Sequence, residues 1–156
     1  MISKFMYSTL ILIYFYQASK TYTYQYNAEN QIIAAGWVAN DQKVDYWRFY
    51  HSTGKIKAKG NYENGFKDGY WFYYDAKNNL KAEGYYKNNK RDSWWTIHTS
   101  EDLIEKVAYV NGRKEGYCLR YKKGSLYEVK KYEKNILLGS WNTLSKFKKD
   151  NPNASF

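Results

Sequence analysis

Residues Lys55-Ile-Lys-Ala-Lys-Gly-Asn-Tyr62 alternate polar and apolar positions, the pattern of a strand with one covered face. Asn64-Gly65, with Asp68-Gly69 soon after, supplies residues that tolerate positive φ, so a tight turn follows. Tyr70-Trp-Phe-Tyr-Tyr74 reads as a second strand with rings on both faces. Asp75 to Asn79, like Ser52-Thr53-Gly54, reads as the return turn. Two strands of about six to eight residues and two turns make a unit of about 23 residues. Each unit is a β-hairpin, and a lone hairpin is marginal in water, so neighbours must stack edge to edge to share a core.

The unit recurs along the chain. Gly36, Gly60 and Gly84 are 24 residues apart, with Trp47, Trp71 and Trp95 in register and Asn40, Asn64 and Asn88 likewise. Two later copies step by 23: Tyr62 and Tyr86 are followed by Tyr109 and Tyr132, and Trp71 is answered by Cys118 and then Trp141. A half-copy begins near Tyr22, so residues 22–141 hold about five copies and the fold class is all-β. Ile56, Ala58, Gly60 and Tyr62 share the inward face, and Leu80, Ala82, Gly84 and Tyr86 repeat that choice. The small residues let Trp71 and Tyr73 press against backbone. At the Ala and Gly places the fourth copy carries Glu105 and Val107, and the fifth Glu128 and Lys130. Either these strands slip by one residue, bringing Ile104 and Ala108 inward, or the sheet opens toward the C-terminus.

Tyr62-Glu-Asn-Gly-Phe-Lys-Asp-Gly-Tyr-Trp-Phe-Tyr-Tyr74 resembles the MORN repeat, in the variant form of many bacterial proteins. The resemblance covers about 120 residues, taken over tandem copies. The first copy departs from it with Asn40-Asp41, and the fifth with Asn135-Ile136, in place of Asn-Gly. The resemblance implies an elongated, twisted antiparallel sheet of consecutive hairpins. It also implies binding or scaffolding work, with membrane or protein contacts, and some bacterial members of the family are labelled antitoxins.

Residues 1–19 stand apart from the repeat. Lys4 precedes a 12-residue apolar run, Phe5 to Tyr16, and Ala18-Ser19 follows. The run is shorter than the roughly 20 residues a membrane span needs. It fits a secretory signal peptide cut after Ala18 or Ser19, which implies a secreted or periplasmic protein. The alternatives are an uncleaved membrane anchor through residues 5–18, or a first buried strand. Residues 20–141 form the repeat domain, and residues 142–156, with Lys146, Lys148 and Lys149, read as a frayed basic tail.

Composition narrows the chemistry. The 156-residue chain carries 25 Lys+Arg against 15 Asp+Glu; loss of Lys4 leaves 24 − 15 = +9. Aromatic residues make up 21% of it, too many for a disordered chain, and a mean hydropathy of −0.84 excludes a polytopic membrane protein. One cysteine, Cys118, excludes an internal disulfide, and two histidines, His51 and His98, leave little for a metal site. Asp45, Asp68, Asp92 and Glu115 recur once per repeat, the last three beside Gly or Ser, as turn-bonding carboxylates do. No nucleophile has a base assignable to it and no glycine-rich phosphate loop is present, so the expectation is a protein without catalysis, cofactor or metal.

The basic surplus recurs with the repeat. Lys67, Lys90, Arg91, Arg113 and Lys114 fall in the first turn of successive units, which lines them up along one edge, while Lys55, Lys57, Lys59 and Lys81 face away from the inner ladder. Such a stripe suits an acidic protein or polyanion, anionic lipid, or nucleic acid. A solvated lysine face that blocks aggregation is the plain alternative. Three functions follow: an interaction scaffold for a protein partner outside the cytoplasm, a peripheral membrane binder, or an antitoxin-like protein. An export signal counts against the antitoxin and against nucleic acid. The oligomeric state is left open by the sequence.

Overall fold

The computed structural model of the protein describes residues 19–155, so the signal segment expected at residues 1–19 lies, except for Ser19, outside the described residues. Eleven strands follow: β1 (Thr21–Tyr26), β2 (Ile32–Ala39), β3 (Gln42–Tyr50), β4 (Ile56–Glu63), β5 (Phe66–Tyr74), β6 (Leu80–Lys87), β7 (Lys90–Ser100), β8 (Leu103–Val110), β9 (Arg113–Lys122), β10 (Ser125–Glu133) and β11 (Ile136–Trp141). A helix, α1 (Leu144–Asp150), comes last. The strands form one open antiparallel sheet in sequence order. Five hairpins, β2–β3 to β10–β11, follow a half-copy, β1. At about 4.8 Å per strand the sheet runs roughly 48 Å along its stacking axis, against about 30 Å along a nine-residue strand.

The turns explain the regularity. All five first turns are two-residue loops with positive φ at both centres: Asn40-Asp41 (49° and 58°), Asn64-Gly65 (49° and 81°), Asn88-Asn89 (50° and 64°), Asn111-Gly112 (52° and 81°) and Lys134-Asn135 (47° and 73°). These are type I′ values, whose twist matches that of paired strands. The fifth turn is thus centred on Lys134-Asn135 instead of Asn135-Ile136. Each turn is stitched to the one before it, as Gly65 N to Lys43 O (2.9 Å) and Asn89 N to Lys67 O (2.9 Å) show. Two of the recurring acids serve the same joints: Asp68 Oδ2 accepts from Asn88 N, and Glu115 Oε2 from Lys134 N at 2.9 Å.

The core of the sheet's inner face is one side chain thick. Trp47, Trp71 and Trp95 are fully buried there because each lies flat on a glycine: a β-carbon at Gly36, Gly60 or Gly84 would meet the indole at 2.3–2.4 Å. Positive φ two residues before each indole, at Asp45 (54°), Gly69 (76°) and Ser93 (57°), makes a bulge that tips the ring over. The register shifts at the same places. Each indole N–H donates to the carbonyl beside the glycine: Trp47 to Trp37 O (2.9 Å), Trp71 to Asn61 O (3.0 Å) and Trp95 to Tyr85 O (2.8 Å).

The fourth copy neither slips nor opens, and β10 keeps its register on β9. In the fifth hairpin β11 is shifted by one residue: Trp141 pairs with Val129, and Ser140 with Lys130, so Trp141 leaves the inner tryptophan place for the outer face. Val107 pairs with Cys118, and both are buried, so an enlarged glycine position faces a reduced tryptophan position. Glu105, Arg120 and Glu128 stay in register where Ala82 and Ile97 stood in the third copy. Arg120 Nε lies 2.8 Å from Glu105 Oε1, Arg120 Nη1 pairs with Glu128 Oε2, and Lys130 Nζ lies 3.5 Å from Glu128 Oε1. An ionic cluster replaces the apolar ladder in the same geometry.

Within the segment read as a frayed tail, Leu144–Asp150 instead form a helix packed on the sheet. Thr143 caps α1 by accepting from Lys146 N, and Phe147 is buried against Leu119 and Val129 on the outer face. Its ring meets Tyr117 and Trp141 edge-on at 5.4 and 5.3 Å. Leu119 directly follows Cys118, so β9 buries one residue into each face.

Candidate functional site: a cation–aromatic row

The five basic residues expected along one edge divide between the two faces, because adjacent strand residues alternate. Lys67, Arg91 and Lys114 turn onto the rings of the inner face, whereas Lys90 and Arg113 are exposed and line a shallow pocket with Asn111, Glu115 and Lys134. A fourth cation, Lys43, completes the inner row. It precedes Lys67 by 24 residues, as Lys67 precedes Arg91, so the repeat spacing itself marks it.

Each cation covers rings. Lys43 Nζ stands 4.3 Å from the Trp47 ring centroid, Lys67 Nζ 4.4 Å from Trp71 and Arg91 Cζ 4.3 Å from Trp95. Lys114 has Cys118 where the indole would be, and lies over Tyr132 at 5.0 Å. Such contacts contribute about 0.5–2 kcal/mol, more where water is excluded. The tyrosines of the repeat complete the row: in cross-strand pairs, Tyr62 stands opposite Lys67, Tyr86 opposite Arg91 and Tyr109 opposite Lys114. Lys67 Nζ donates to Tyr73 Oη at 2.9 Å, which donates to Tyr86 Oη at 3.0 Å, and Arg91 Nη1 donates to Tyr109 Oη at 3.2 Å.

The row is electrostatically unbalanced. Among the described residues, the ion pairs join Lys20 to Asp45 and Arg120 and Lys130 to their glutamates; none involves Lys43, Lys67, Arg91 or Lys114. Burial, then the charge of Lys67, pushes Lys43 below the ordinary lysine value. Burial likewise lowers Lys67, with the Tyr86 phenol opposing and Arg91 adding to the shift. Burial raises Tyr62 and Tyr73. Arg91 is held above its ordinary value; burial, the largest single influence, works against it, but the hydrogen bonds and charges of the Tyr109 and Tyr86 phenols together outweigh that.

A groove of about 490 Å³ crosses this face between Phe49, Ala58, Tyr62, Lys67, Trp71 and Tyr73. Lys57 also lines it, although strand alternation placed it on the other face. It is the extra residue between the pairs Phe49–Ala58 and Tyr50–Ile56, and that bulge breaks the alternation. Lys59 does face away, over Phe72 and Tyr74. His51 Nε2 lies 3.0 Å from Tyr74 O in a return turn. No group of three or more His, Cys, Asp or Glu able to hold a metal ion occurs among the described residues.

Compared with known proteins, the chain matches no family model and no curated relative.

Proposed function

We propose that the protein is a non-catalytic interaction protein of the MORN-repeat type, working in the periplasm or outside the cell, whose inner face binds an acidic protein partner. The observation that carries the reading is the row Lys43, Lys67, Arg91 and Lys114. It places one cation per hairpin against rings, with no carboxylate partner among the described residues, while Arg120 and Lys130 on the same sheet have theirs. Desolvated charge held by ring faces recovers its lost solvation when an anion docks. The export signal read at residues 1–19 supports the location.

The test is binding of poly-L-glutamate, followed by tryptophan fluorescence. Substituting Lys67→Gln, Arg91→Gln and Lys114→Gln together removes three charges and keeps covering stems. This triple variant should weaken binding by about tenfold or more. The double variant Lys90→Gln/Arg113→Gln, on the opposite face, should change it little. Equal losses in both would mean that net charge, not this face, is responsible. Strong binding to phosphatidylglycerol vesicles with none to poly-L-glutamate would replace the protein partner with a membrane.

A further inference from the structure

The outer face of the sheet carries a second ladder of rings. Tyr46, Tyr70, Trp94 and Tyr117 recur once per hairpin, each directly before an inner tryptophan place, and strand alternation turns them outward. The helix covers the last of them, where Phe147 meets Tyr117 edge-on at 5.4 Å. Tyr46, Tyr70 and Trp94 are exposed, as is Tyr85, which pairs with Tyr70 across β5 and β6. The core does not need these rings, since Trp47, Trp71 and Trp95 are buried on the other face. Tyr70, Tyr85, Ser93, Trp94, Thr96 and Lys106 line an open groove of about 610 Å³, within the usual range for ligand sites.

Charge accompanies the rings. One row of direct cross-strand partners runs Arg48, Lys59, Phe72, Glu83, Thr96 and Lys106. Arg48 and Lys59 are like charges placed directly opposite one another, an arrangement that destabilises a sheet. Neither they nor Lys106 joins an ion pair among the described residues. Each stands over a ring instead: Arg48 Cζ lies 5.3 Å from the Tyr46 centroid, Lys59 Nζ 5.2 Å from Phe72 and Lys106 Nζ 5.7 Å from Tyr121. Between these cations stands Glu83. Burial, and then the charge and hydrogen bonding of the Glu83 carboxylate, raise the Tyr70 phenol above its ordinary value, so the acid lies beside the groove wall.

A ligand for this face has to supply anionic groups for the cations, hydroxyl donors for Glu83 and flat apolar faces for the rings. A nucleic acid carries a phosphate at every unit and meets Glu83 in the middle of the row. An extended peptide finds no free backbone groups, because β3 to β8 are flanked by strands on both sides. An acidic sugar unit brings a carboxylate, hydroxyls and a C–H face that packs on an aromatic ring. Lys59 and Lys106 are four strands apart along the row, about 19 Å at about 4.8 Å per strand, so a chain of such units reaches both and one small anion does not.

We infer that the outer face of β3 to β8 binds an acidic polysaccharide. Tyr70, Tyr85 and Trp94 stack on its sugar rings, and Arg48, Lys59 and Lys106 meet its carboxylates. This site is separate from the inner row and stands whether or not that row takes an acidic protein.

End-labelled hyaluronan and alginate oligosaccharides test it on the natural protein by fluorescence anisotropy, with neutral chito-oligosaccharide and oligo(dT) as comparisons. At least one acidic oligosaccharide should bind, and Trp94→Ala and Arg48→Gln/Lys59→Gln should each weaken it by about tenfold or more. The double variant relieves a like-charge pair, so it should melt no lower than the natural chain. The Lys67→Gln/Arg91→Gln/Lys114→Gln variant should leave this binding unchanged. Loss of binding in that triple variant alone would move the sugar to the inner row and overturn the inference. Equal binding of the neutral oligosaccharide, tighter binding of oligo(dT), or binding of neither acidic oligosaccharide would overturn it as well.

Discussion

Gly60 lies directly beneath the indole of Trp71: a β-carbon on residue 60 would stand 2.4 Å from Trp71 Cδ2. The indole cannot retreat easily, since it is fully buried and its N–H is bonded to Asn61 O. Gly60→Ala should therefore cost about 1–3 kcal/mol, the usual range for overpacking. Trp71→Ala, which empties the site, should cost about 3–5 kcal/mol. Urea unfolding followed by circular dichroism measures both, and a neutral Gly60→Ala would refute the contact.

The fourth repeat shows how the same site tolerates other residues. Val107 and Cys118 occupy the glycine and tryptophan places, and both are buried. Cys118→Trp alone should destabilise, because Val107 fills the space that the indole needs. Val107→Gly alone should leave a void beside Trp95. The double variant restores the pattern of the first three repeats, so the two changes should offset one another by more than about 1 kcal/mol in a double-mutant cycle. Additive costs would mean that the two positions are independent.

What the sequence made legible follows from period and turn chemistry. The hairpin order, the half-copy at Tyr22 and the Gly, Trp and Tyr positions of the first three copies all follow from recurrence at 23–24 residues. Three things did not follow. Strand alternation fails wherever a bulge inserts a residue, which is why Lys57 lines the groove. The split of Lys90 from Arg91 depends on strand parity, whereas the turn signature only groups them. Phe147 is a single apolar residue amid Lys146, Lys148 and Lys149, and its pocket of Leu119, Val129 and Trp141 comes from three different strands.

Turn chemistry gives a third expectation. Lys123-Gly124 closes β9–β10 with φ of 50° and 78°, the same geometry as Asn64-Gly65. Lysine has no local hydrogen bond to favour that conformation, and asparagine does. Lys123→Asn should stabilise the protein by about 0.5–1 kcal/mol, seen as a raised denaturation midpoint at unchanged m-value. A lowered midpoint would show that the lysine side chain has a role of its own.

The ionic cluster makes stability depend on pH in a defined direction. Burial disfavours the ionised form of Glu128, but the hydrogen bonds from Arg120 and Ser140 and the charges of Lys130 and Arg120 together outweigh it and hold the carboxyl below its ordinary value. A depressed folded value means that the stabilisation is fully present above the unfolded value, about 4.3 for glutamate, and is lost as pH falls through the folded one. The stability gap between the natural chain and Glu128→Gln should be constant near neutrality and shrink as pH falls below about 5. Urea titrations at successive pH values would show it, and a gap that persists in acid would mean that the carboxylate is not what stabilises this corner.

Cys118 reports on the opening of the same region. Burial, reinforced by the negative charge of Glu105, pushes its thiol up to about 11, although Lys114, Lys130 and Arg120 oppose the shift. The side chain is 2% exposed between Val107 and Lys130. Both factors suppress the reactive thiolate at neutral pH, so alkylation should proceed only through transient separation of β8, β9 and β10. Iodoacetamide labelling of the native protein at pH 8 should be slower than labelling in urea by a factor that follows the opening equilibrium. Val107→Gly, which loosens the packing over the sulfur, should speed native labelling without changing the rate in urea. Fast labelling of the unmodified native chain would place the thiol at the surface, and would then contradict the paired burial of Val107 and Cys118 on which the fourth repeat depends.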